Sequence, residues 1–161
     1  STPELGELEA RLFAAERERD AAQAAQREAE SRYASKAAEA ARMRSGAQGA
    51  PSAPATPAPG SDDLFDAAVA NYESLNDLAS ALRMNVEVSV GYAQDLRPVV
   101  ELAAVANPDG ARIAAAVKTA DALFTLESLE EALQNAESGA RASKKAMRQF
   151  RETLKTRGYG S

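Results

Sequence analysis

The chain has 161 residues, 45% of them apolar, with 24 acidic against 19 basic side chains and a formal net charge of −5. It contains no histidine, cysteine or tryptophan. That excludes disulfides, thiolate or imidazole metal sites, Ser-His-Asp or cysteine nucleophile chemistry and c-type haem attachment, so neither an enzyme nor a cofactor or metal is expected.

Alanine supplies 38 of the apolar positions, and Ile113 is the single isoleucine. Alanine gains little from burial but is the best helix former, so the expected fold class is all-α, built from thin, closely packed helices. No apolar run approaches the ~20 residues of a membrane span. Charges recur from Glu4 onward, against a signal peptide, and the expected location is intracellular, in the cytoplasm. The chain opens on Ser1 rather than Met, which reads as an excised fragment or a processed chain.

Residues 1–45 form the first predicted element, an N-terminal coiled-coil-like amphipathic helix. With Leu5 at heptad position a, the core track runs Leu5, Leu8, Leu12, Ala15, Arg19, Ala22, Gln26, Ala29, Tyr33, Lys36, Ala40, Met43. The strong knobs are confined to Leu5, Leu8 and Leu12, while Arg19, Gln26 and Lys36 are polar at core positions. Pairs such as Glu7–Arg11 and Glu28–Arg32 at i,i+4 support the helix without a partner. The polar core positions read either as register-setting devices or as the mark of a solvated helix that packs only at its leucine end.

Residues 46–61, GAQGAPSAPATPAPGS, carry no charge and no large apolar group. Four prolines bias this stretch to an extended coil, so it reads as a flexible Pro/Ala/Gly linker tethering the first helix. Its competing reading, a docking site for an SH3- or WW-type module, lacks an arginine beside any PxxP core.

Residues 62–157 read as a long antiparallel helical hairpin, as a coiled coil or within a bundle, with its turn at 107–110. The first arm opens at Asp62-Asp63, suited to a helix N-terminus. Phe65, Ala68, Tyr72, Leu75, Ala79, Leu82 and Val86 then hold a 3-4 spacing. Alternation around Val86–Tyr92 would suit a strand, yet no second strand-like run exists to pair with it. The reading is helix, irregular at Gly91 and kinked or broken before Pro98. Asn107-Pro108-Asp109-Gly110 ends that arm and caps the next. The second arm carries Leu126, Leu129, Leu133, Ala136, Ala140, Ser143, Met147, Phe150 and Leu154 in one phase. Residues 158–161 read as a disordered tail.

Charge is polarised along the chain. Residues 62–110 carry 9 acidic and 2 basic groups, and residues 111–161 carry 9 basic and 6 acidic ones. An antiparallel hairpin sets the acidic start of one arm beside the basic end of the other, which favours that register.

The expected function is a non-enzymatic scaffold module that assembles with protein partner helices, as a homo-oligomer or a hetero-coiled coil. Its seam is Leu5, Leu8, Leu12, Phe65, Tyr72, Leu75, Leu82, Leu126, Leu129, Leu133, Met147, Phe150 and Leu154. The competing function is a basic-helix recognition element at residues 140–157. There Arg141, Lys144, Lys145, Arg148, Arg151, Lys155 and Arg157 would dock on an acidic surface such as a filament, an anionic membrane or nucleic acid. Nucleic acid is disfavoured, because the chain is acidic overall and no aromatic side chains interleave the basic ones for stacking. No small-molecule substrate is expected. Glu130-Glu131 and Asp62-Asp63 do not raise a metal or acid–base site, because adjacent helical residues point about 100° apart.

Overall fold

A computed structural model of the chain describes residues 3–47, 61–106 and 108–156, and among these every residue is helical. Three helices pack against each other: α1 (Pro3–Ala47), α2 (Ser61–Ala106) and α3 (Pro108–Thr156). Of the expected linker 46–61, Gly46 and Ala47 belong to α1 and Ser61 to α2; residues 48–60, Arg157 and the expected tail 158–161 lie outside the described residues, as do the side chains of Asp62, Ala103 and Leu154.

The helices start and end where elementary capping chemistry puts them. Pro3 and Pro108 open α1 and α3, at a position where the missing N–H is not required and the fixed φ is already helical. Glu4 sits in the first turn of α1 and Arg44 in its last, each matched to the partial charge at its helix end. The expected turn at 107–110 is shorter than its sequence suggests, because Pro108, Asp109 and Gly110 already belong to α3.

The expected break before Pro98 does not occur; α2 runs unbroken through Gly91 and Pro98 to Ala106. Pro98 leaves the Gln94 carbonyl without its i+4 donor, a local cost. Packing offsets it: Leu96 is 2% exposed, and Val99 and Val100 lie against the cluster that contains it. The Val86–Tyr92 stretch is likewise helical, consistent with the lack of a pairing strand.

The chain divides into two compact units. The first comprises Ser1–Arg27 and Ser80–Gln134, and so combines one portion of each helix. Its core cluster joins Leu12 and Ala15 of α1, Tyr92 and Leu96 of α2 and Ala122 of α3. Moving from Gln26 to Arg19 on α1, seven residues back, corresponds to moving from Asn85 to Tyr92 on α2, seven residues forward. The two helices are therefore antiparallel in this unit, and they meet two turns apart on one face of each.

The second unit comprises Glu28–Ala79 and Asn135–Ser161. Here Phe65 of α2 stacks on Phe150 of α3, with ring centroids 6.2 Å apart and planes 17° apart. Leu75 lies against Gly139, so that α2 and α3 run antiparallel in this unit too. A Cβ on Gly139 would stand 3.2 Å from Leu75 Cδ2; the absent side chain leaves room for the leucine. Ala29 and Ala40 of α1, at 2% and 6% exposure, complete the buried surface of this unit.

Alanine sets the character of the α1 contact. Among the described side chains of α1, the five buried ones, Leu12, Ala15, Ala22, Ala29 and Ala40, fall on the 3-4 track counted from Leu5. Small side chains at a contact permit helix axes to approach toward the short end of the usual ~8–10 Å range. Each alanine contributes little apolar area, so α1 relies on close approach and on the polar partners described next.

Candidate functional site

The first unit holds a polar layer inside an otherwise apolar seam. Asn85 of α2 is fully buried, at 0% exposure. Its side-chain amide donates to Gln26 Oε1 of α1 at 2.6 Å, and its Oδ1 accepts from Ser89 Oγ at 3.2 Å. Ser89 is itself buried. The 3-4 spacing explains why these groups meet. Leu78, Leu82, Asn85, Ser89, Tyr92 and Leu96 follow one another at intervals of four, three, four, three and four residues. They therefore form a second face of α2 beside the Phe65–Tyr72–Leu75 face.

A buried amide is costly unless paired, so this layer discriminates between registers. Sliding α1 along α2 moves Gln26 away from Asn85 and takes this acceptor from the fully buried amide. A single polar position in an apolar seam is a known means of selecting register and partner number. Gln26 and Arg19 are two of the polar core positions evident in the sequence, and both find partners on α2. The third, Lys36, is exposed and lies 3.9 Å from Glu39, one turn on.

Two turns before Gln26, the Arg19 guanidinium carbon sits 4.0 Å from the centroid of the Tyr92 ring. Tyr92 is 7% exposed, so this cation–π contact forms against a desolvated ring, where it is strongest. Arg19 Nε is buried without a hydrogen-bond partner. A cleft of about 190 Å³ opens at this point, lined by Arg19, Tyr92, Lys118, Asp121, Ala122 and Thr125.

In the second unit a groove of about 350 Å³ lies among the three helices. Ala40 and Arg44 of α1, Leu64 and Ala68 of α2, and Met147 and Phe150 of α3 line it. Asn71 Oδ1 is buried in this unit without a hydrogen-bond partner, while Ser74 Oγ donates to the Asn71 carbonyl at 2.8 Å.

The expected seam residues are distributed over both units. Leu12, Leu75, Leu82 and Leu129 are buried, whereas Leu5, Leu8, Phe65, Tyr72, Leu126, Leu133, Met147 and Phe150 are half-buried. Leu12 joins the first unit's cluster, and Phe65 and Phe150 meet directly in the second. The basic residues Arg141, Lys144, Lys145, Arg148, Arg151 and Lys155 are all exposed. Arg141 Nη2 donates to Ser138 Oγ at 3.2 Å. None of the six forms an ion pair with another described residue, and neither do the exposed Asp63, Asp66, Glu73 and Asp77 of α2. Phe65 on Phe150 is an apolar contact that joins α2 and α3 in this unit.

One feature of α3 escapes a reading by its dominant stripe. Ile113, Val117 and Phe124 are 70%, 55% and 68% exposed. At about 100° per residue they fall on one face of the helix, roughly opposite Ala122 and Leu129, which are buried. Leu123, 57% exposed, widens that outer face. The signal was present as a spacing of four and seven residues, masked by the cleaner leucine track that follows it.

Among the described residues, no group of acidic side chains is placed to hold a metal ion, and no helix is long and apolar enough to cross a membrane. Comparison with protein-family models, curated proteins and solved structures finds no match to this chain.

Proposed function

We propose that this chain is a non-enzymatic scaffold module that assembles with partner helices. In this reading α2 and α3 form a long antiparallel hairpin of coiled-coil spacing. The amphipathic α1, tethered by the Pro/Ala-rich stretch, lies against it in the register chosen by Gln26 and Asn85. The observation that carries the proposal is the outer face of α3, where Ile113, Val117 and Phe124 form an apolar stripe opposite the buried one. Isolated exposed apolar side chains are ordinary, whereas an aligned set on one helix face matches the anchors of helix-to-helix recognition.

Light scattering across a concentration series tests the self-assembling form of the proposal. The expected mass rises with concentration for the parent chain and stays monomeric for the triple variant Ile113→Glu, Val117→Glu, Phe124→Glu, with helicity unchanged. A parent chain that remains monomeric throughout would remove self-assembly.

A second reading rests on a separate observation, the exposed basic groups of α3 that have no ion pair with described residues. Lys144, Lys145, Arg148, Arg151 and Lys155 would then dock on an acidic surface. Binding to anionic vesicles or duplex DNA that weakens steeply with salt would support it; salt-independent or absent binding would count against it.

A further inference from the structure

From the outer face of α3 we infer that the first unit pairs with a second copy of this chain, the two α3 helices lying antiparallel about a two-fold axis. The inference rests on the scaffold function proposed for the chain and names its partner. Ile113, Val117, Ala120 and Phe124 follow one another at intervals of four, three and four residues. That spacing reads the same in both directions about a midpoint between Lys118 and Thr119. A two-fold axis through the midpoint sets Ile113 against the partner's Phe124 and Val117 against the partner's Ala120, each contact being made twice. Leu123, 57% exposed, comes level with the partner's Ala114, whose small side chain leaves it room. Ala122 and Leu129 are buried on the opposite side of α3, so the pairing takes no residue from the core of the unit.

Charge selects the direction of the pair. Glu127 and Glu131 continue the same 3-4 track and are exposed. In a parallel pair each meets its own counterpart inside the seam, a like-charge contact at both positions. Antiparallel pairing carries both past the partner's Ile113 and out of the apolar contact. The same axis brings Asp121 within two residues, about 3 Å along the helix, of the partner's Lys118. Asp121 and Lys118 are exposed, and neither forms an ion pair with another described residue. The apolar seam from Ile113 to Phe124 is about 16 Å long, so the pair belongs to the weak, concentration-dependent class.

The chain contains no cysteine, so introduced thiols report contacts without background. The test oxidises the full chain carrying Ile113→Cys, the full chain carrying Phe124→Cys and their equimolar mixture, and measures disulfide-linked dimer on a non-reducing gel. In the antiparallel pair position 113 of one copy lies against position 124 of the other. Two like positions lie about 16 Å apart along the axis, beyond the ~7 Å that a disulfide spans between Cα atoms. The mixture also keeps one Ile113–Phe124 contact intact. The expected result is about five-fold or more linked dimer in the mixture than in either variant alone. Both positions are exposed, so helicity should match the parent chain. Single variants that link with themselves as readily as the mixture overturn the antiparallel pair. A parent chain whose mass rises in light scattering while the mixture stays unlinked also overturns it, and places assembly on another face. A parent chain monomeric at every concentration excludes the second copy and leaves the scaffold function to other chains.

Discussion

The side-chain amide of Asn85 donates to Gln26 Oε1 at 2.6 Å, joining α2 to α1 across 59 residues of sequence. It is a part-buried polar contact that, with Ser89, interrupts the leucine, alanine and tyrosine side chains of the seam. Its energetic importance lies less in the bond made than in the penalty for leaving the fully buried Asn85 amide unpaired.

Replacing Gln26 alone by leucine should therefore destabilise the chain by about 1–3 kcal/mol, because the fully buried Asn85 amide loses the acceptor of its N–H. Replacing both Gln26 and Asn85 by leucine should recover most of that loss and relax the choice of register. Urea denaturation of the single and double variants gives the coupling energy. Light scattering of the double variant should show mixed association states.

Two glycines in helices predict opposite responses to alanine. A Cβ on Gly91 meets nothing within 4 Å, so Gly91→Ala should stabilise the chain by about 0.5–1 kcal/mol through helix propensity. On Gly139 the same Cβ stands 3.2 Å from Leu75 Cδ2, and Leu75 is only 5% exposed. The propensity gain is then offset by displacement of a packed methyl, and Gly139→Ala should fall short of Gly91→Ala. Paired thermal melts at fixed concentration compare them.

Charge reversal on the basic face separates structure from recognition. Changing Lys144, Lys145, Arg148 and Arg151 to Glu should move stability by less than about 0.5 kcal/mol each, since these side chains are exposed and form no ion pair with described residues. A large drop in Tm on reversal would instead show that the charges hold α2 and α3 together.

The two faces of α3 should respond differently to truncation. Leu129→Ala, at a position 8% exposed, should cost about 2–5 kcal/mol. Phe124→Ala, at 68% exposure, should change monomer stability by no more than about 0.5 kcal/mol while weakening assembly. Denaturation of dilute chain measures the first effect, and concentration-dependent scattering the second.

Much of the helical organisation was legible in the residues because helix formation is governed by local signals. Pro108, the 3.6-residue periodicity and the alanine content all act within a few turns, so α1, α2 and α3 run close to where those signals place them. That Phe65 and Leu75, which meet α3, lie on an apolar face of α2 was legible for the same reason, from their spacing. Its other face was not, because Asn85 and Ser89 interrupt the apolar pattern on which such a reading depends. Nor did local capping chemistry reveal that Pro98 would be accommodated within α2, which follows from the burial of Leu96 and its neighbours.

Sequence alone determined that this is an alanine-rich helical chain without imidazole or thiol chemistry, because composition and short-range spacing decide those properties. Only the tertiary structure decided what the polar core positions of α1 do. Arg19 and Gln26 look like interruptions of a weak heptad until α2 brings Tyr92 and Asn85 beside them. Whether a polar side chain in a seam is a defect or a register key depends on the group opposite, and that group lies dozens of residues away along the chain.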